Sequence, residues 1–204
     1  MVDVTVTTAS IPERAKLLWE AMASVRAQTV QPAAHLIRVQ SPDDPISPVQ
    51  LAHQRNRLLA AVDTIWAATL DDDDVYLPKH FETIAEALDT DADVVYTFAR
   101  EGNVAREDVT DWTSAQLLDR LAAGNCISSN SCVRAATVRS IGGWGEYVFD
   151  PVTRRFSGDA TWEDWDMWIR LAQAGARFRC VPVETWDYRS GGWERVSQQW
   201  VTAV

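Results

Sequence analysis

From Val2 to Thr8 valine alternates with aspartate or threonine, a two-residue period that predicts a strand with one buried face. Ile11-Pro12-Glu13 then predicts a helix start with proline in the first turn, and Leu17, Leu18, Ala21, Met22 and Val25 give that helix one apolar face as far as about Ala27. His35 to Val39 reads as a second short strand, ended by the loop cluster Ser41-Pro42-Asp43-Asp44-Pro45. Leu51, Leu58, Leu59 and Val62 predict a helix from about Pro48 to Asp63, and the apolar run Thr64 to Leu70 has the length of a buried strand. Four consecutive aspartates, Asp71 to Asp74, end that run. Pro78 opens another helix to about Leu88, and Asp93 to Phe98 makes a fourth strand.

Such alternation predicts an α/β fold, with a mostly parallel sheet, right-handed crossovers and a ligand site beyond the carboxyl ends of the strands. The second half is less regular. It predicts helices at Thr113 to Ala123 and Glu163 to Ala174, and a turn at Gly142-Gly143. Its strands are expected near Ser131 to Arg134, Phe178 to Pro182 and Glu184 to Arg189.

The length of 204 residues suits one ordinary domain, and no repeat, linker or biased segment argues for a boundary within it. Hydrophobic residues are 47% and charged residues 24%, which excludes disorder and low complexity as an explanation of the polar stretches. The formal net charge of −10 disfavours duplex nucleic acid as the main partner, since no basic run exceeds Arg154-Arg155. The acidity points instead toward cation binding. Cys126, Cys132 and Cys180 are an odd number without a CxxC pair, and the amino terminus has no apolar leader pattern, so a cytoplasmic, reducing setting is expected. No apolar run approaches the roughly 20 residues of a spanning helix.

Adjacent carboxylates at the end of a buried strand raise one another's proton affinity, a cost that a divalent cation removes. Magnesium or manganese takes hard oxygen ligands and is commonly held by one or two carboxylates plus substrate phosphates. The alternative is a solvated acidic turn that caps the helix near Pro78. A calcium loop of the helix-loop-helix type is disfavoured, because Val75 and Tyr76 stand where an acid and a glycine are expected. There is no GxxxxGK[ST] loop, and Gly142-Gly143-Trp144-Gly145 does not make a dinucleotide fingerprint. In Thr161-Trp162-Glu163-Asp164-Trp165-Asp166-Met167-Trp168, Thr161 and Asp164 have capping-box spacing, and Trp165, Trp168, Ile169 and Ala172 form an apolar stripe. A capped amphipathic helix explains the tryptophans better than the acids. A carboxylate in a first turn beside an aromatic wall also suits a general base.

Leu51-Ala52-His53-Gln54-Arg55-Asn56, Leu70 to Asp74 with Pro78 beyond, Gly142-Gly143-Trp144, and Glu163 to Trp168 with Arg170 together resemble the family two glycosyltransferases of the GT-A fold. Thr7-Thr8, Ile11 to Arg14 and the segment from Ser24-Val25 to Gln28-Thr29 extend the resemblance over nearly the whole chain, in order. It implies a single GT-A domain over 1–204, Rossmann-like, with a mostly parallel mixed sheet flanked by helices. Residues 1–100 would be the nucleotide-sugar half and 101–204 the acceptor and base half.

The resemblance implies an inverting, metal-dependent transfer of a sugar from a nucleotide-diphosphate donor to an acceptor hydroxyl. By position, Asp71, Asp72 and Asp73 would form the DxD-type motif, Asp71 near the ribose or sugar and Asp73, with Asp71, on a manganese or magnesium ion. Arg55 would reach the diphosphate, Thr7 and Arg14 would line the nucleoside pocket, and Asp43 or Asp44 would contact the base or ribose. Asp164 would be the catalytic base, with Glu163 binding acceptor or orienting the base. Gly142, Gly143 and Trp144, with Trp165, would line the donor-sugar and acceptor site.

Two departures stand out. The segment Tyr188-Arg189-Ser190-Gly191-Gly192-Trp193 lacks the His that many relatives carry there, which implies either Arg189 or Arg195 as a substitute or a weaker metal dependence, and the loop at Asp43 lacks the usual Asp-Gly-Ser pattern. His35 and His80 are expected to be exposed and His53 structural, and the cysteines are expected in the core. A catalytically silent module holding a sugar nucleotide or a partner in the same cleft is the alternative, and a metal-dependent phosphoester hydrolase ranks behind it. The acceptor class (protein, glycan, lipid-linked sugar or modified nucleobase) is left open.

Overall fold

The alternating segment at the amino terminus forms β1 (Val2–Ser10), whose Val4 and Val6 are fully buried. A 3-10 turn at Pro12–Arg14 leads into α1 (Ala15–Arg26), followed by β2 (Pro32–Val39), α2 (Pro48–Ala60) and β3 (Trp66–Thr69). Next come β4 (Val75–Tyr76), α3 (His80–Leu88), β5 (Val94–Ala99), α4 (Ser114–Ala123), β6 (Cys132–Arg134) and α5 (Ala135–Ser140). The two-residue strands β7 (Phe149–Asp150) and β8 (Arg155–Phe156) pair as a separate ribbon, and α6 (Glu163–Gln173) and β9 (Phe178–Asp187) follow. This computed structural model describes residues 1–42, 48–100, 106–145, 149–150, 155–156 and 163–189.

One mixed sheet has the order β2-β1-β3-β6-β5-β9-β4. β1 lies parallel to β2 and β3, and β5 lies parallel to β9, while β6 is antiparallel to both β3 and β5. The first-half strands therefore do not form a continuous parallel block, because β6 from the second half inserts between β3 and β5. The strands expected at Phe178 to Pro182 and Glu184 to Arg189 are one strand, β9. Opposite β5 its register jumps from Cys180 to Glu184 while β5 advances only from Tyr96 to Phe98, an irregularity around Pro182, which has no N–H for the ladder.

Side-chain alternation divides the core between the two faces. Val4, Val6, Ala68, Leu70 and Val95 pack with Phe81, Ile84 and Ala21 on the α1/α3 side. Ala67, Val94 and Tyr96 pack with Leu117, Leu121, Met167, Trp168 and Leu171 on the α4/α6 side. Thr113 caps α4 in a full capping box with Gln116. All three cysteines are buried and free, as expected.

His80 is a correction. It is buried rather than exposed, stacked on Tyr76 at 3.9 Å between ring centroids, and its Nδ1 shares a 2.7 Å hydrogen bond with Thr185 Oγ1. Burial drives its pKa down to about 3, so it is neutral and belongs to the core. His35 is half-buried, its Nε2 2.9 Å from Thr8 Oγ1.

Candidate active site

Parallel pairing of β1 and β3 brings their carboxyl ends to one sheet edge, and the four aspartates leave from there. Asp72 accepts hydrogen bonds from Ser10 Oγ at 2.6 Å and from Arg14 Nη1 at 2.7 Å, and the same Arg14 nitrogen lies 3.3 Å from Asp73. Asp74 accepts from Asn130 Nδ2 at 2.5 Å and from the Arg189 backbone N–H at 3.0 Å. Asp71, the most open of the four, accepts from Ser129 Oγ at 2.7 Å and donates its backbone N–H to Asn130 Oδ1 at 2.9 Å. Arg189 also donates to the Asp73 carbonyl and pairs with Glu20 of α1, bracing the loop from behind.

Within this network the acids still raise the proton affinity of Asp73 and Asp74. Burial and the neighbouring Asp71 carboxylate push Asp73 up to about 6 against the pull of Arg14, and burial with Asp71 and Asp73 holds Asp74 well above the usual carboxylate range. Asp71 and Asp73 thus put two hard-oxygen carboxylates on one loop, Asp71 2.6 Å from Arg55 Nη2 and Asp73 3.3 Å from Arg14 Nη1, a donor type that suits magnesium or manganese. Among the described residues no three His, Cys, Asp or Glu side chains converge as a metal set.

Arg55, on α2, spans the cleft. Its Nη2 donates to Asp71 Oδ1 at 2.6 Å, its Nη1 lies 2.9 Å from Glu163 Oε1, and its guanidinium sits 4.4 Å over the Trp144 ring. The neighbouring Asn56 holds Trp144 with its carboxamide, Nδ2 donating to the Trp144 carbonyl at 3.0 Å and Oδ1 accepting the Trp144 N–H at 2.8 Å. Gly142 and Gly143 make this approach possible at φ of +85° and +79°, and a Cβ on Gly143 would lie 2.4 Å from Asn56 Oδ1. Arg170 of α6 donates to the Ile141 and Gly143 carbonyls at 2.9 and 2.8 Å, tying the turn to the same helix that carries Glu163.

At the start of α6, Asp164 Oδ1 accepts the Trp165 N–H at 2.7 Å and Oδ2 accepts from Asn125 Nδ2 at 3.2 Å. Burial and the adjacent Glu163 charge push Asp164 up to about 7 against the pull of Arg55. Glu163 is raised by its burial, with Arg55 opposing. The capping partner expected at Thr161 lies outside the described residues, as do Asp43, Asp44 and Arg195.

The family model for glycosyl transferase family group 2 matches residues 66–204, which takes in the aspartates, the glycine turn and α6. The chain belongs to glycosyl transferase family group 2. Among solved structures, S. aureus TarS 1-349 superposes with a TM-score of 0.69 at 12% identity, over 93% of this chain and 61% of that one. The same TarS segment in complex with UDP-GlcNAc gives 0.67 at 12% identity, over 93% of this chain and 60% of that one. Mannosyltransferase PcManGT from Pyrobaculum calidifontis, in complex with GDP-Man and Mn2+, gives 0.60 at 13% identity, over 95% of this chain and 59% of that one. At these identities the likeness shows the GT-A fold, and the chain spans about three-fifths of the length of these structures. No curated protein matches by sequence.

Within this glycosyl transferase family group 2 chain, Arg14, Arg55, Asp71, Asp72, Asp73, Glu163 and Asp164 gather at one sheet edge. Among the described residues Thr7 does not join their hydrogen bonds. It lies inside β1 with its hydroxyl 3.4 Å from the Ala68 carbonyl, and Ser10, at the strand end, reaches Asp72 instead. Trp144 is 5% exposed, so it supports Arg55 rather than offering a free surface. Trp165 is half-buried with its indole N–H on the Leu121 carbonyl at 2.9 Å. The side chains that sequence reasoning missed are Ser10, Asn56, Asn125, Ser129 and Asn130. Short polar residues in loops carry no periodic signal, although the run Ser128-Ser129-Asn130-Ser131 just before a strand is an unusual polar density.

Proposed function

We propose that the chain is an inverting, metal-dependent glycosyltransferase that moves a sugar from a nucleotide-diphosphate donor to an acceptor hydroxyl. The observation that carries this reading is the Arg55 bridge. It places the acidic loop after β3 and the acid pair at the start of α6 on two sides of one guanidinium, although they are far apart in the chain. A site that both holds a diphosphate and removes a proton needs both groups at one cleft.

Asp164 is the base. Its raised pKa matches proton abstraction near neutral pH, and its carboxylate is oriented before substrate arrives. A base on the acceptor side, opposite a departing diphosphate, dictates inversion at the anomeric carbon. Glu163 holds Arg55 and keeps it between the two acidic centres. Arg14, Ser10 and Asp72 shape the nucleoside end, and Arg55 turns toward the diphosphate when the donor supplies a stronger anion than Asp71. Asp71 and Asp73 would hold a magnesium or manganese ion, which supplies electrostatic stabilisation of the leaving diphosphate. Residues 1–100 contribute most donor contacts and 101–204 the base, within one domain whose sheet both halves share.

Asp164→Asn tests the reading. Donor affinity should stay near wild type while turnover falls about a hundredfold or more, because only the proton acceptor is lost. Wild-type turnover in this variant sinks the assignment, and donor binding without turnover in the wild-type protein favours the silent module. Among the described residues no helix is long and apolar enough to cross a membrane.

A further inference from the structure

We propose that Asn125 is a positioning residue for Asp164, its carboxamide fixing the orientation of the base's carboxylate. This rests on the reading of Asp164 as base. Asn125 faces two ways: its Oδ1 accepts the Ile127 N–H at 3.1 Å, closing an Asx turn, and its Nδ2 donates to Asp164 Oδ2 at 3.2 Å. The turn holds the carboxamide oxygen on the Ile127 N–H and leaves its nitrogen facing Asp164.

The end of α4 and the loop after it are docked on α6 on either side of that contact. Trp165 Nε1 donates to the Leu121 carbonyl at 2.9 Å and Trp168 Nε1 to the Ile127 carbonyl at 3.1 Å, which places Asn125 between two indole clamps from the helix that carries Asp164. Asp164 Oδ1 is held by the Trp165 N–H, so the Asn125 bond fixes the second oxygen and with it the carboxylate plane. The charged groups facing Asp164 are Glu163 on its own helix, Arg55 from α2 and Asp71 from the loop after β3. A donated N–H favours the ionised form against burial and the two acids, and so keeps the base usable near neutral pH.

Two variants separate this role from the turn. Asn125→Ser keeps a side-chain oxygen for the Ile127 N–H but is too short to reach Asp164. Asn125→Asp keeps shape and turn but presents an oxygen to the carboxylate. The readout is the carboxyl carbon-13 titration of Asp164 in the ligand-free protein, followed by release of nucleoside diphosphate from UDP-GlcNAc or GDP-mannose with manganese. The titration midpoint should rise by about half a unit or more in both variants, and turnover should fall about tenfold or more at unchanged donor affinity. An unchanged midpoint overturns the proposal, as does a parallel loss of donor binding and turnover, which would assign Asn125 to the loop alone. If Asp164→Asn keeps wild-type turnover, the base reading itself fails. If Asp164→Asn is inactive while Asn125→Ser is unaffected, only the Asn125 inference fails.

Discussion

Arg55 donates to Asp71 at 2.6 Å with its side chain only 6% exposed, so the arginine expected on a diphosphate is paired with one of the protein's own acids. The second carboxylate, Glu163, lies on its other nitrogen. Breaking a buried pair by removing one partner leaves uncompensated charge, whereas the intact pair contributes little net stability.

Arg55→Ala should therefore destabilise the fold by about 3 kcal/mol, the low end of the range for buried pairs, since Asp71 keeps 29% side-chain exposure. Arg55→Lys retains the charge yet cannot span both carboxylates from a planar fork, and should fall between the two. Urea denaturation of the three proteins checks the order. Equal stability of Arg55→Ala and wild type contradicts it.

Gly142 and Gly143 offer a paired comparison. Both hold a left-handed conformation, so alanine at either costs about 1–2 kcal/mol of strain. At Gly142 a Cβ meets nothing within 4 Å, whereas at Gly143 it meets Asn56 Oδ1 at 2.4 Å and breaks the pair that positions Trp144. Gly143→Ala should lose more stability than Gly142→Ala and also reduce turnover, by letting Trp144 and Arg55 shift. Melting temperatures and donor turnover of the two variants decide the point.

The raised pKa of Asp164 fixes the sign of two pH effects. Activity should rise with pH through about 7 as the base ionises, and fall below it. For stability, a carboxyl whose folded pKa lies above its unfolded value binds its proton more tightly when folded. Its contribution is thus greatest at low pH and is lost as pH rises from the ordinary aspartate range through about 7. Asp164→Asn removes that loss, so the variant should gain in melting temperature over wild type as pH is raised from 5 to 8. A constant difference across that range rules out the raised pKa.

Long periodic segments were legible in the sequence. The helices at Ala15–Arg26, Ser114–Ala123 and Glu163–Gln173 and the strands β1, β3 and β5 appear where hydrophobic spacing predicts them. β4 has two residues and α5 six, too short for a period to register. The position of β6 between β3 and β5 was not legible, because strand pairing is decided by non-local contacts. The polar loop before β6 follows from that insertion, which sets Asn130 against Asp74 and Ser129 against Asp71. His80 shows the same limit: Thr185, which satisfies it, comes from β9 at the other end of the chain. The acidic and aromatic motifs were legible as chemistry, but the burial of Arg55 and Trp144 was not.

Asp71 and Asp73 are the residues proposed to join a divalent cation to a nucleotide-diphosphate donor. The most direct measurement is the melting temperature of wild type and Asp73→Ala against a panel of sugar nucleotides and nucleoside diphosphates, each with and without manganese. A ligand that binds only the folded state at a hundredfold excess over its Kd adds about 2.7 kcal/mol. With these ligands, wild type should show a manganese-dependent rise with at least one donor, largely abolished in Asp73→Ala. An equal rise in both proteins, or a rise in wild type indifferent to manganese, contradicts it.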